Sequence, residues 1–142
     1  MSTLSAASMA AASALSVERT RIEVAVSNIA NAESTRGADG QPYRRRDVVL
    51  SSDPVVSFDR VLGQASATGV KVSSIVEDQA PYRRRYEPSH PDADAEGYVK
   101  LPNVDTSTEM VDMLGAARAY QANLTAISLI RDTVQRALEL AK

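Results

Sequence analysis

The sequence contains no cysteine and no tryptophan, and Phe58 is its single phenylalanine. Without thiols there is no disulfide framework, no thiolate nucleophile and no cysteine-ligated metal. Aromatic residues make up only 4 % of the chain. Such side chains bury the most area and anchor most cores and ligand pockets. A chain of 142 residues with so few of them has a thin core and gains much of its order by packing against neighbours. The run of about 20 apolar residues that a membrane helix needs is missing. The Ala/Ser-rich segment 1–14 has no positively charged stretch ahead of it, unlike a secretory signal. It runs directly into a helical pattern and is read as part of the mature protein. A formal net charge of −2 and a pI near 5.4 give no electrostatic reason to expect nucleic acid. No nucleophile elbow, phosphate-binding loop or glycine-rich dinucleotide motif occurs. The expectation is a non-enzymatic chain with no cofactor, no metal and no small-molecule substrate.

What is present falls into three parts: an N-terminal helix (1–33), a β-rich irregular middle (34–103) and a C-terminal helix (104–142). From Leu4 to Asn31 there is neither proline nor glycine. Leu15, Ile22 and Ile29 recur at seven-residue intervals, with Ser8 one heptad earlier and Ala11 and Ala25 at offset positions, forming one narrow apolar stripe. Asn28, Asn31, Ser34 and Gly37 supply the turn chemistry that ends this helix. In the C-terminal part, Met110, Ala117, Leu124, Arg131 and Leu138 form one heptad series. Met113, Tyr120, Ile127, Val134 and Ala141 form a second, offset by three. Only Arg131 is charged, so the two series read as a nearly unbroken a/d seam. Thr106 followed by Glu109 reads as a capping box that starts the helix after Pro102. A rod from Thr106 to Ala141 spans roughly 50 Å at about 1.5 Å per residue. That is more apolar seam than the shorter, Ala-rich first helix covers, so part of it is expected to meet other molecules.

The middle holds all six prolines. Residues 43–50, 69–77, 82–86 and 98–101 read as strands, and the stretch from Ser51 to Thr68 is ambiguous. Two Pro-Tyr-Arg-Arg-Arg runs, ending at Arg46 and Arg85, hint at paired or similar strands. Alternate arginines in a strand point to opposite faces, and stacking aromatics are scarce, so phosphate binding is the weaker reading. These charges are expected to pair with acidic neighbours across subunits. His90 has only carboxylates such as Asp92, Asp94 and Glu96 for partners, without the glycine and spacing of a calcium loop. These residues read as turn and loop chemistry.

Three stretches carry a resemblance. Ser27-Asn28-Ile29-Ala30-Asn31-Ala32 closes the first helix. Gly40-Gln41-Pro42-Tyr43-Arg44 and the segment from Pro91 to Asp105 occupy the middle. Glu109-Met110-Val111-Asp112-Met113, followed by Arg118-Ala119-Tyr120-Gln121-Ala122-Asn123, lies in the second helix. Together they resemble the axial rod and hook proteins of the bacterial flagellum, the middle stretches matching the proximal-rod branch. Residues 5–14 are more alanine-rich than that family leads one to expect, and from residues 51–68 nothing carries over from it.

The resemblance implies a mainly α fold with a small β insert, its terminal helices paired as an antiparallel coiled-coil-like hairpin. It implies a structural subunit of a hollow rod crossing the periplasm, packed helically with copies of itself and other rod proteins. It further implies contact with the basal structure at the inner membrane and uncleaved export through the flagellar type III apparatus. The expected function is mechanical: torque transmission and passage of exported subunits. Residues expected on the helix seam or subunit interface are Leu15, Ile22, Asn28, Ile29, Asn31, Met110, Met113, Ala117, Tyr120, Asn123, Leu124, Ile127, Val134 and Leu138. Asn28, Asn31 and Asn123 are expected to hydrogen-bond between subunits and fix register. The alternative is a helical-hairpin export chaperone or adaptor that binds a partner transiently and stays in the cytoplasm.

Overall fold

A computed structural model describes residues 2–37, 39–54 and 68–140. Two long helices frame the chain: α1 (Ser2–Ala30) and α2 (Thr106–Leu140), of 29 and 35 residues. Between them lie β1 (Arg46–Pro54), β2 (Thr68–Glu77), β3 (Arg83–Tyr86) and β4 (Tyr98–Leu101). The molecule is thus mainly helical with a small β insert, as the periodicities and the family resemblance imply. Ala141 and most of the ambiguous stretch, residues 55–67, lie outside the described residues.

The helices run antiparallel. Leu4 and Met9, near the start of α1, line a common cleft with Ile130, Val134 and Leu138, near the end of α2. At the opposite end Asn28 bonds to Glu109. Among the half-buried and buried residues of α2, Glu109, Met113, Ala116, Tyr120, Asn123, Ile127, Ile130 and Val134 follow steps of four and three. That is a heptad seam, and it differs in one respect from the one read in the sequence. Met113, Tyr120, Ile127 and Val134 lie on it, but the companion series starts at Glu109, one residue before Met110. Met110, Leu124 and Leu138 are exposed, and Ala117 is half-buried. Apolarity pointed to Met110 and Leu124; the seam instead holds the polar Glu109 and Asn123.

The cap of α2 also differs from the expected box. Asp105 is the N-cap: its carbonyl accepts from Glu109 N at 3.0 Å and its Oδ1 from Ser107 N at 2.9 Å. That frees the Glu109 carboxylate to reach elsewhere. At the end of α1, Asn31 Nδ2 donates to Ser27 O at 2.8 Å, and Ser34 Oγ donates to Asn31 O at 2.8 Å. Each side-chain bond adds to a backbone one on the same carbonyl, from Asn31 N to Ser27 O at 3.1 Å and from Ser34 N to Asn31 O at 3.1 Å.

The strands form two separate antiparallel pairs, β1 with β2 and β3 with β4. The two arginine runs therefore do not pair with each other. In the first sheet Val49 opposes Ser74 and Leu50 opposes Val72, so Ser73 is the extra residue of a bulge. Against α1, β2 approaches so closely that a Cβ on Gly69 would meet Ser13 Oγ at 2.8 Å. That hydroxyl accepts from Val70 N at 3.1 Å, anchoring the strand to the helix. In the second sheet Tyr86 packs edge-on against Tyr98, ring centres 5.3 Å apart. Gly97, with φ +83°, turns the chain between β3 and β4 where an added Cβ would also strike Tyr86.

The buried apolar residues are few and mostly small: Val17, Ala25, Ala32, Val99, Leu101, Val104 and Ala116. Val99 and Leu101 come from β4, Val104 from the loop entering α2, and Ala25 and Ala32 from the last turns of α1 and just beyond it. The core is thin and lies at one end of the helix pair.

Candidate functional site

Two features stand out: a polar node where the three parts of the chain meet, and an apolar surface left open along the helices. In the node, Asn28 is 1 % exposed and Glu109 2 %, and among the described residues no other polar side chain is buried. Asn28 Nδ2 donates to Glu109 Oε2 at 2.8 Å and to Arg46 O at 2.9 Å. Its Oδ1 accepts from Arg46 N at 3.0 Å and from the Tyr43 hydroxyl at 2.9 Å. Asn28 is therefore a helical residue, not a turn residue, and all four bonds fall within the chain. This corrects the expectation that it bonds across subunits. Asn31 and Asn123 likewise bond within their own helices, Asn123 Nδ2 donating to Ala119 O at 2.9 Å.

The other Glu109 oxygen accepts from Arg45 Nε, and Arg45 also pairs with Asp47. Partial burial works against the charged form of Arg45, but the bonds from Glu109 and Asp47 outweigh it, raising its pKa. Arg45 N donates to Asn103 Oδ1 at 3.1 Å, so the segment at residues 45–46 is threaded between the end of α1 and the entry to α2. An ion pair held in this way needs its hydrogen bonds filled, because an unpartnered buried charge is costly. Sequence reasoning missed Arg45 and the node role of Glu109. The available signal was a lone carboxylate at a seam position.

The remaining arginines of the two runs also find partners inside the chain. Arg46 lies 3.5 Å from Glu77, Arg84 3.1 Å from Asp94 and Glu96, and Arg85 2.6 Å from Glu33. Arg83 Nε donates to Pro102 O at 2.9 Å. Arg44 donates to Asp78 O and Ala80 O and lies over the Tyr82 ring at 4.5 Å. The expected pairing with acidic neighbours across subunits is replaced by pairing within the chain. Asp92 accepts from Thr35 Oγ1 at 2.8 Å and its N–H bonds to His90 Nδ1 at 3.0 Å, both loop contacts.

The open surface is at the other end. Between the start of α1 and the end of α2 lies a cleft of about 800 Å³, lined by apolar side chains such as Leu4, Met9, Ile127, Ile130, Val134 and Leu138. Leu138 lines this cleft and is 57 % exposed. Along α2, Met110, Val111, Leu114, Leu124 and Leu129 are also exposed. Leu15, Ile22 and Ile29 of α1 are half-buried, and Ile22 lies beside Tyr120. Among the described residues no cluster of His, Asp or Glu could hold a metal ion, and no helix is long and apolar enough to cross a membrane.

Residues 9–38 match the family described as flagella basal body rod protein, and residues 95–140 match the flagellar basal body rod FlgEFG protein C-terminal family. Over 132 residues, 93 % of each chain, the sequence is 46 % identical to the flagellar basal-body rod protein FlgC of Salmonella typhimurium. The chain belongs to the FlgC family of flagellar basal-body rod proteins. The FlgC protein of Bacillus subtilis is 44 % identical over 141 residues, covering 92 % of this chain and 93 % of that one. That of Agrobacterium fabrum is 42 % identical over 143 residues, covering 100 % and 98 %. The first of the two matched segments contains Asn28 and the second contains Glu109, so the node joins the two segments that match the rod-protein families. A FlgC-family chain is a structural rod subunit, and the long helix pair with its unfilled end is what this structure offers for that role.

Proposed function

We propose that this chain is a non-enzymatic building block of the proximal rod, packing helically with copies of itself and with other rod proteins. In this reading the paired terminal helices form the wall of a hollow shaft that crosses the periplasm, and the node keeps each subunit rigid under torque. The three-part division at residues 33/34 and 103/104 then separates a helical packing unit from a middle that faces other surfaces. Contact with the basal structure at the inner membrane and export through the flagellar type III apparatus belong to the same reading.

The observation that carries it is the exposed apolar surface of α2 together with the open cleft. Apolar area of this extent is costly in water and marks an interaction surface. The relatives are named as flagellar basal-body rod proteins, which supplies the partner class. Leu124, 46 % exposed, tests the reading because it supports no intramolecular core. Leu124→Asp should leave the helical circular dichroism of the isolated chain unchanged while abolishing motility and stopping basal bodies short of a complete rod. Wild-type motility and complete rods in that variant would contradict it.

A further inference from the structure

The apolar seam of the helix pair repeats itself. Leu15, Ile22 and Ile29 of α1 and Met113, Tyr120, Ile127 and Val134 of α2 recur at heptad spacing and are all half-buried, Ile22 lies beside Tyr120, and the small Ala25 and Ala116 are buried. Sliding one helix past the other by a heptad, about 10 Å at 1.5 Å per residue, exchanges one aliphatic contact for another. The apolar pattern therefore discriminates weakly between axial registers, and alanines give up little area on being displaced.

The buried polar pair does not recur one heptad on. Seven residues before Asn28 stands Arg21, and seven after Glu109 stands Ala116. A slip that brings Ala116 opposite Asn28 removes the bond between Asn28 and Glu109 and takes the carboxylate away from Arg45. We propose that the Asn28–Glu109 hydrogen bond is a register lock, selecting one axial alignment of α1 and α2 out of several that the apolar seam tolerates. Three observations support it. Asn28 and Glu109 are the only buried polar side chains among the described residues, they bond directly at 2.8 Å, and they are 81 residues apart in sequence. A single buried polar contact in a heptad seam is the best-attested means of fixing register. The rest of the node keeps Asn28 oriented: Arg46 N, Arg46 O and the Tyr43 hydroxyl hold three of its four bonds, leaving the fourth aimed at α2. The lock does not depend on the rod reading. If that reading holds, the lock also fixes how far Met110, Leu124 and Leu138 stand along the axis for neighbouring subunits.

The test uses the full-length chain in isolation, where assembly plays no part. Because the sequence has no cysteine, Ser5→Cys and Gln135→Cys introduce a unique pair of labelling sites, both lining the terminal cleft. Spin-label distances across this pair report the register. With Asn28 and Glu109 intact, one distance population is expected. Glu109→Met removes the acceptor at similar volume while Asn28 keeps its three other bonds. A second, longer distance population is then expected, from a register displaced along the axis by about 10 Å, one heptad of helix rise. Glu109→Gln keeps an amide oxygen to accept from Asn28 and should retain the single population. One unshifted population in the Met variant would overturn the lock, as would displacement in both variants alike. Loss of the helical circular dichroism in Glu109→Met would overturn it too, since a contact that only chooses between registers is dispensable for forming the helices.

Discussion

The two ends of the helix pair are built on opposite terms. Around Asn28 and Glu109, every hydrogen bond of Asn28 is filled and Val99, Leu101, Pro102 and Val104 are buried beside the entry to α2. At the other end, Leu4, Met9 and Leu138 line a cleft that the chain itself does not fill. The same antiparallel pair is thus finished at one end and unfinished at the other. The node end stabilises the subunit, and under the rod reading proposed above the open end holds the apolar area that a neighbour buries.

The largest effect should come from cutting the finished end. Leu101, 3 % exposed, truncated to alanine should cost the isolated chain about 3 kcal/mol in urea unfolding. The matching truncation Leu138→Ala at the open end should stay within about 0.5 kcal/mol, as for surface substitutions generally. Equal losses would erase the contrast. Gly69→Ala comes next, because its Cβ would meet Ser13 Oγ at 2.8 Å where β2 docks on α1. A loss of about 1–2 kcal/mol is expected from such overpacking, visible as a lowered thermal midpoint. Gly115 sharpens the comparison from the other side. An added Cβ there meets nothing within 4 Å, so Gly115→Ala should stabilise the isolated chain by about 1 kcal/mol through helix propensity. A lowered midpoint would reveal an intramolecular role for this glycine.

The smallest effect is local and depends on pH. The Asp94 carboxylate accepts from Tyr98 N at 2.9 Å and from Glu96 N at 3.0 Å, and it pairs with Arg84 at 3.1 Å. The Tyr98 N–H is the main cause holding its pKa below the ordinary 3.8; desolvation opposes it, and the Glu96 N–H and Arg84 add to the lowering. A carboxylate depressed in the folded state contributes stability above its unfolded value and loses it as pH falls through the folded one. The loop before β4 should therefore hold at neutral pH and loosen only below about pH 4, near the unperturbed aspartate value. Amide NMR shifts of Tyr98 that move instead between pH 5 and 7 would contradict this.

Much of this architecture was legible in the sequence. The heptads gave both helices, the family resemblance gave their antiparallel pairing, and proline and glycine marked out the strand-rich middle. The companion series along α2 was misplaced by one residue because periodicity follows apolar side chains, and Glu109 and Asn123 occupy seam positions that Met110 and Leu124 mimic. The node was not legible, since it depends on Arg45 and Arg46 being threaded between residues at opposite ends of the chain. Nor was the internal pairing of the arginine runs. Which carboxylate lies within reach of Arg84 or Arg85 is decided by the turn at Gly97 and by the position of Glu33 after α1. The family itself was legible from contiguous motifs, because those survive without knowledge of the fold.

The most direct test of the central claim is thiol labelling of a Leu138→Cys chain, whose introduced cysteine is the only one it carries. In the isolated subunit it should react with a maleimide as fast as an unfolded peptide does. In purified basal bodies, with the labelled chain identified by mass spectrometry, the same thiol should be blocked while Tyr86→Cys on the middle stays reactive. Equal reactivity of the Leu138→Cys thiol in both states would mean that assembly leaves the open end uncovered, and the division of labour between the two ends would fall.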